Sequence, residues 1–131
     1  MDTKTSLLKR VPLFRSCSRR ELDEIAALAD EIDLPAGSRL TAEGASGREF
    51  VVLVEGIADV TQDGRLVNTL GPGDFLGEIS LVTGEPRTAT VTTRSDARLL
   101  VLSAQGFRSL VGRSPHIKRR VAAAAALRLA G

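Results

Sequence analysis

The sequence predicts a mainly β domain, a sandwich or barrel of short strands, with helices before and after the strands. Two observations support this prediction. Turn signals of Gly, Pro, Asp and Ser recur every several residues from Pro35 to Asp96, and short β-prone runs separate them. This region also contains too few helical segments to link the strands of a parallel α/β sheet.

The strands are predicted where apolar and β-branched residues run between two turns. Asp63-Gly64, which lies between two such runs, is a strong signal for a two-residue hairpin turn. The predicted strands span Arg39–Thr41, Glu49–Val54, Ile57–Gln62, Arg65–Leu70, Thr88–Thr93 and Ala97–Leu102.

The segment before the strands is predicted to be helical. Ser18 and Glu21 have the spacing of a capping box, and apolar residues follow them at helical spacing. We therefore expect a helix from about Ser18 to Asp30. A shorter helix near Ser6–Arg10 should end at Val11-Pro12, because the residue before a proline disfavours the helical conformation.

The segment after the strands is also predicted to be helical. Ser103 can cap a helix that Gly112 would end, and Ser114-Pro115 has the form of a second helix start. The second helix should continue through an alanine-rich stretch to about Leu129. Its apolar stripe is predicted to consist of Ile117, Val121, Ala124 and Leu127.

The length of 131 residues fits one domain, spanning 1–131. Its parts are a helical segment over about 1–30, a β region over about 31–102 and C-terminal helices over about 103–130. No apolar run reaches the roughly 18 residues that a membrane span needs. Neither is a secretory signal visible, so the expected compartment is the cytoplasm.

The numbers of cysteine, histidine and charged residues further limit the functions that the chain can have. Cys17 and His116 are the only residues of their types, so we expect no intrachain disulfide and no His- or Cys-based metal centre. Seven basic and no acidic residues follow Asp96, a cluster that could face an acidic partner. The chain has no Trp and no Tyr to stack on bases, so a solvated basic helix without direct nucleic-acid contact is the expectation.

The segment from residue 71 to residue 91, GPGDFLGEISLVTGEPRTATV, carries the chemistry of the chain. Gly77 permits close backbone approach, and the amides that follow it could bind an anion. Arg87 could add charge-assisted hydrogen bonds to the same anion, and Glu78 could accept one from a sugar hydroxyl. From the residues alone, a salt bridge between Glu78 and Arg87 is an open alternative, and it is the commoner arrangement of such a pair.

The same segment resembles the phosphate-binding cassette of cyclic-nucleotide-binding domains, here over residues 73–91. The cassette pattern is G-E, a small or apolar residue, any residue and L, then a short insert and P-R, one of Ala, Ser or Thr, and A-x-V. Its defining positions are filled without a gap by Gly77, Glu78, Leu81, Pro86, Arg87, Thr88, Ala89 and Val91. The chain is therefore similar to the sensor domains of the catabolite activator protein and of cyclic-nucleotide-dependent kinases.

The resemblance implies an eight-stranded antiparallel β-roll, jelly-roll-like, with an N-terminal helix and two C-terminal helices. It implies that the chain binds cAMP or cGMP, with cAMP favoured, and has no catalytic residue, metal or other cofactor. Arg87 would contact a phosphate oxygen and Glu78 the ribose 2′-hydroxyl. The implied ligand-binding residues are Gly77, Glu78, Ile79, Ser80, Arg87, Thr88 and Ala89.

Two further features follow from the resemblance. The last helix should move toward the occupied site, where Arg120 or Leu127 is a candidate lid over the base. The Thr88 hydroxyl could bond the guanine amino group and so affects the choice between cGMP and cAMP. An effector domain or protein that contacts the last helix is the expected partner, and a homodimer is a further candidate state.

Three other functions compete with a stand-alone sensor. The chain could be the sensor half of a transcription regulator of the catabolite activator type, which needs a helix-turn-helix after Gly131. It could also be an interaction β-roll that binds no ligand, which the intact Glu78 and Arg87 disfavour. A cupin-type enzyme needs several histidine ligands for its metal, and the single histidine excludes that class.

Overall fold

The structure, a computed structural model, describes residues 3–46, 49–77 and 84–130. Within these ranges it contains four α-helices and a 3-10 helix, and its eight strands form two sheets. The helices are α1 (Lys4–Lys9), the 3-10 helix Pro12–Phe14, α2 (Arg19–Leu28), α3 (Ala104–Arg113) and α4 (Pro115–Ala130). The strands are β1 (Asp30–Leu34), β2 (Arg39–Thr41), β3 (Glu49–Glu55), β4 (Ala58–Gln62), β5 (Arg65–Leu70), β6 (Phe75–Leu76), β7 (Thr90–Thr93) and β8 (Ala97–Ser103).

The two sheets have four strands each and pair antiparallel throughout. The first sheet has the strand order β1-β8-β3-β6, and the second has the order β2-β7-β4-β5. Strands far apart in the chain are neighbours in both sheets, as in a jelly roll. The predicted eight-stranded antiparallel β-roll with flanking helices is therefore confirmed.

Strands β3 and β8 contribute to two separate hydrophobic cores. Alternate residues of a strand point to opposite faces of its sheet. On β3, Val51 and Leu53 pack between the sheets, whereas Phe50 and Val52 pack against the helices. The first sheet is therefore buried on both faces, which explains why the central five residues of β3 are all buried. The helices cover one face of the first sheet, and the second sheet covers its other face.

The helices begin and end close to where the sequence predicts. Ser18 accepts a hydrogen bond from the Glu21 amide, and the Glu21 side chain accepts one from the Ser18 amide, so the capping box is confirmed. The helix α2 ends at Leu28 rather than at Asp30. Asp30 instead begins β1, which the sequence analysis missed, because residues 30–34 gain a full ladder of backbone hydrogen bonds with β8.

Other corrections are local. The helix α3 continues through Gly112 to Arg113, and Ser114 caps it with an extended backbone, so the predicted stop at Gly112 is wrong. In α4, Ala125 is buried and Ala124 is only half-buried, while the Leu127 side chain is 76% exposed. The stripe of α4 is thus Ile117, Val121 and Ala125, at spacings of four residues. The predicted position of Leu127 within the stripe is wrong.

None of the helices in the described ranges combines the length and the apolar character needed to cross a membrane.

Candidate functional site

Gly77 and Arg87 of the cassette lie in contact with each other. Gly77 follows β6 with a φ of +100°, a conformation that residues with a side chain rarely adopt. A Cβ atom placed on Gly77 would lie 2.7 Å from Nη1 of Arg87 and would also overlap the carbonyl oxygen of Glu49. Only glycine therefore allows the guanidinium group to approach the backbone so closely.

Both the backbone and the side chain of Arg87 are held by residues far from it in the sequence. Its amide donates to the Ala45 carbonyl at 2.8 Å, and its carbonyl accepts from the Gly44 amide at 2.9 Å. Its Nη2 donates to the Glu49 carbonyl at 2.7 Å. The turn after β2 and the start of β3 thus fix the place and direction of a half-buried arginine.

Thr88 and Ala89 are positioned by the strands of the second sheet. The Thr88 carbonyl accepts from Nε2 of Gln62 at 3.0 Å, and the Ala89 carbonyl accepts from the Thr41 hydroxyl at 3.0 Å. Their carbonyls are therefore used by the scaffold, while the exposed Thr88 side chain stands on the surface next to Arg87. Glu78, Ile79 and Ser80 lie outside the described residues.

The turn Glu43–Ala45 forms a second wall beside the cassette, which the sequence analysis read only as a turn. The Glu43 amide donates to the Thr90 hydroxyl at 3.1 Å, and the Glu43 carboxylate accepts from the Asp63 amide at 3.0 Å. One loop thus joins the strand that follows the cassette to the β4–β5 hairpin. These contacts bridge 47 and 20 positions of sequence, so no local pattern could have revealed them.

The two candidate lid residues take different positions on α4. Nη1 of Arg120 donates to the Leu13 carbonyl at 3.2 Å and also to the Pro12 carbonyl. Arg120 therefore ties α4 to the 3-10 helix in this arrangement. Leu127 is largely exposed, one to two turns further along α4.

The 3-10 helix lies between α4 and the first turn of the cassette. A Cβ atom on Gly73, where φ is +93°, would lie 3.0 Å from Cδ of Pro12. Pro12 therefore contacts the cassette through its ring and Arg120 through its carbonyl oxygen. Pro12 therefore lies between the cassette turn and Arg120 of α4.

The fold and the site together define a β-roll with helices packed on one sheet and an arginine in contact with a glycine turn. The sequence model of the family described as "Cyclic nucleotide-binding domain" matches residues 31–114 of the chain. The chain belongs to the cyclic nucleotide-binding domain family. The match includes the whole cassette and the turn that holds Arg87.

Two relatives with similar sequences support this assignment. The chain is 36% identical over 117 residues to a cAMP-dependent protein kinase regulatory subunit of Aspergillus niger, covering 88% of this chain and 28% of that protein. It is 35% identical over 115 residues to a cyclic nucleotide-gated potassium channel of Rhizobium etli, covering 88% of this chain and 32% of that protein. The chain thus spans about a third or less of these two relatives.

A solved structure supports the fold independently. The catabolite activator protein of Thermus thermophilus superposes with a TM-score of 0.80 at 28% identity, over 90% of this chain and 58% of that chain. Kinase subunits, channels and a catabolite activator protein thus share this domain. The family therefore names the sensor type of this chain but not the protein that the sensor regulates.

Proposed function

We propose that this chain binds a cyclic purine mononucleotide through Arg87 as a regulatory sensor and performs no chemistry on it. The observation that carries the proposal is the placement of the Arg87 guanidinium beside Gly77. Two backbone hydrogen bonds fix residue 87, and a third, from Nη2 to the Glu49 carbonyl, directs the guanidinium. A cyclic phosphate has one negative charge, and a planar guanidinium matches phosphate oxygens in charge and geometry. Family membership supports the same ligand.

Calorimetric titration with cAMP tests the proposal directly. Arg87→Ala should weaken cAMP binding by about 10- to 150-fold, since a hydrogen bond to a charged group contributes about 1.5–3 kcal/mol. Arg87→Lys keeps the charge but loses the planar pair of donors, so it should retain only part of the affinity.

The matched control is Arg94→Ala, directly after the strand that follows the cassette. Arg94 forms an exposed ion pair with Asp59, so its loss should leave cAMP affinity unchanged and stability nearly so. Equal cAMP affinity in the wild type and in a folded Arg87→Ala variant would refute the phosphate role of Arg87.

Within this proposal, Glu78 accepts a hydrogen bond from the ribose 2′-hydroxyl. Amides of the cassette complete the cradle, namely those of Gly77, Ile79, Ser80 and either Thr88 or Ala89. The support is the ungapped cassette pattern in a chain of this family. A double comparison tests the ribose role. Changing cAMP to 2′-deoxy-cAMP should weaken binding more in the wild type than in Glu78→Gln, since the variant has already lost part of that contact.

The proposal includes a preference for cAMP over cGMP, and Thr88 is the residue that bears on it. The Thr88 side chain is exposed beside Arg87, so its hydroxyl is available to a base that lies over the cassette. Thr88→Ala should weaken cGMP binding more than cAMP binding. An unchanged ratio of the two affinities would remove Thr88 from the selectivity.

The readout of the sensor is proposed to be movement of α4, with Arg120 or Leu127 closing over the base. The contact of Pro12 with both the cassette turn and Arg120 supports this coupling. The effector is a further domain or protein in the cytoplasm that senses the position of α4. If the chain is instead the sensor half of a transcription regulator, that effector is the DNA-binding half. A homodimer of the chain stays a prediction.

A further inference from the structure

Three side chains with metal-ligating atoms converge where the N-terminal helices meet the start of α4. Cys17 lies just before α2, Glu21 lies in the first turn of α2, and His116 lies in the first turn of α4. Their ligand atoms all lie within 4.8 Å of one another. The cluster is formed by residues up to 99 positions apart and belongs to neither the cassette nor its supporting loops.

The two closest contacts converge on one nitrogen atom. Nε2 of His116 lies 3.6 Å from the Cys17 sulfur and 3.4 Å from Oε2 of Glu21. A relay from a carboxylate through histidine to a thiol needs the two partners on opposite ring nitrogens. Burial, and then the negative charge of Glu21, raise the pKa of the Cys17 thiol to about 11, against the opposing effect of Arg120. The cluster is therefore not an activated cysteine nucleophile.

Neither tautomer of His116 makes a strong hydrogen bond to both partners, because a thiol sulfur is only a weak acceptor. A protonated Nε2 can donate to Glu21, although 3.4 Å is long for such a bond, but then it cannot accept from the thiol. An unprotonated Nε2 can accept from the thiol, but its lone pair then faces the Glu21 carboxylate. A cation between the Cys17 sulfur, Nε2 of His116 and Oε2 of Glu21 would interact favourably with all three atoms.

The distances match the edges of a tetrahedral zinc site. Bond lengths of about 2.3 Å to sulfur and about 2.0–2.2 Å to nitrogen and oxygen give edges of about 3.6 Å for sulfur–nitrogen and about 3.4 Å for nitrogen–oxygen. The structure has 3.6 Å and 3.4 Å at these two edges. The third edge, from sulfur to the carboxylate, closes with side-chain movement of little more than about 1 Å.

The surrounding bonds already orient the carboxylate. The Ser114 hydroxyl donates to Oε2 of Glu21 at 3.0 Å, while the Ser18 amide holds Oε1 at 3.0 Å. Bonds of this kind from outer residues hold metal ligands in place. They also hold the pKa of Glu21 below its usual value, the Ser18 amide contributing most.

We propose that Cys17, Glu21 and His116 form a binding site for one divalent transition-metal ion of the zinc type, with solvent at the fourth position. On binding, the thiol proton leaves to the buffer, and the thiolate and carboxylate together neutralise the ion. The ion would join the N-terminal helices to the first turn of α4. This departs from the expectation of no metal centre, which rested on the single cysteine and the single histidine. Together with one glutamate, these two residues supply three metal ligands.

The test uses the full chain without a histidine tag, freed of metal by a chelator, in excess Mg²⁺. Calorimetry should show one Zn²⁺ bound per chain, and Co²⁺ should produce a thiolate-to-metal charge-transfer band. Zn²⁺ should also raise the thermal unfolding midpoint, because it binds the folded chain. A wild-type protein that shows no thiolate band with Co²⁺ overturns the proposal by itself.

Three variants localise the site. Cys17→Ser should abolish the Co²⁺ band and weaken Zn²⁺ binding by on the order of 100-fold. Glu21→Gln should weaken it by about 10-fold or more while keeping the cap, since an amide oxygen can still accept from Ser18. Glu24→Gln, one turn further along α2, is the matched control and should bind Zn²⁺ as the wild type does.

The variants also separate a metal site from a cluster that is merely hydrogen-bonded. Unfolding midpoints measured in chelator establish that each variant folds. Folded Cys17→Ser and Glu21→Gln variants that bind Zn²⁺ with wild-type affinity would show that the ion binds elsewhere, and the proposal would be wrong. Nucleotide plays no part in this test, so its outcome is independent of the function proposed above.

Discussion

Gly77 is the residue that allows the Arg87 guanidinium to touch the backbone of the cassette. Its φ of +100° and the 2.7 Å between a hypothetical Cβ and Nη1 of Arg87 are two separate demands for glycine. The first demand concerns the conformation of Gly77 itself. The second concerns the position of another residue, and through it the ligand.

Gly77→Ala should therefore weaken cAMP binding strongly, because the added methyl group displaces the guanidinium. The control is Gly37→Ala, where φ is +86° but nothing lies within 4 Å of the added atom. Both variants should lose about 1–2 kcal/mol of stability from the left-handed conformation, but only Gly77→Ala should lose at least about tenfold in cAMP affinity. Equal cAMP affinities in the two variants, measured by calorimetry, would show that the close approach to Arg87 is not needed.

At the scale of elements, α4 is attached to the body by few side chains. Among its side chains described over residues 115–127, the buried apolar ones are Ile117, Val121 and Ala125, which offer little apolar area. Arg120 adds a polar attachment to the 3-10 helix. A helix held in this way belongs to the less stable part of a domain and can move at modest cost.

Hydrogen exchange with and without cAMP measures that movement. Amides of residues 116–127 should change their protection when cAMP saturates the site, because a ligand shifts the helix by its differential affinity for the two positions. Arg120→Ala should lower the protection of α4 without ligand, whereas Arg119→Ala, the exposed neighbour, should not. Identical exchange of α4 with and without saturating cAMP would exclude a switch at this helix.

At the scale of the whole molecule, β3 joins the two cores to the site. Phe50 is 2% exposed and stacks on Phe107 of α3, with ring centroids 4.7 Å apart, and on Phe75 of β6, at 5.4 Å. The preceding residue, Glu49, supplies the carbonyl that accepts from Arg87. Packing of the helices on the roll and placement of Arg87 therefore depend on the same strand.

Phe50→Ala should lower the free energy of unfolding by about 3–5 kcal/mol, since the cavity opens between a sheet and a helix. Urea unfolding followed by circular dichroism measures the change. Leu66→Ala, on β5, removes an apolar side chain that is 60% exposed and should change stability by less than about 0.5 kcal/mol. Similar destabilisation by both variants would show that the stacked rings do not join the helices to the roll.

Features that depend on neighbouring residues follow from the sequence alone. The capping box of Ser18 and Glu21 forms as predicted, because both of its hydrogen bonds close within one turn. The Asp63-Gly64 hairpin also forms, with positive φ at both residues as a tight two-residue turn demands. The cassette, too, is a continuous stretch of about twenty residues, so its pattern identified the family before any geometry was known.

Contacts between distant residues were decided only by the tertiary structure. The strand β1 forms because Asp30 to Leu34 pair with β8. Three of these five residues are acidic, so their own sequence did not indicate a strand. The partners of Arg87 at Ala45 and Glu49 are backbone carbonyls, which every residue has and no pattern distinguishes. Cys17 and His116 meet across 99 positions because the fold brings the starts of α2 and α4 together. Local rules thus determined the elements and the family of this protein, whereas packing determined which groups meet at its sites, because proximity across the chain depends on the whole fold.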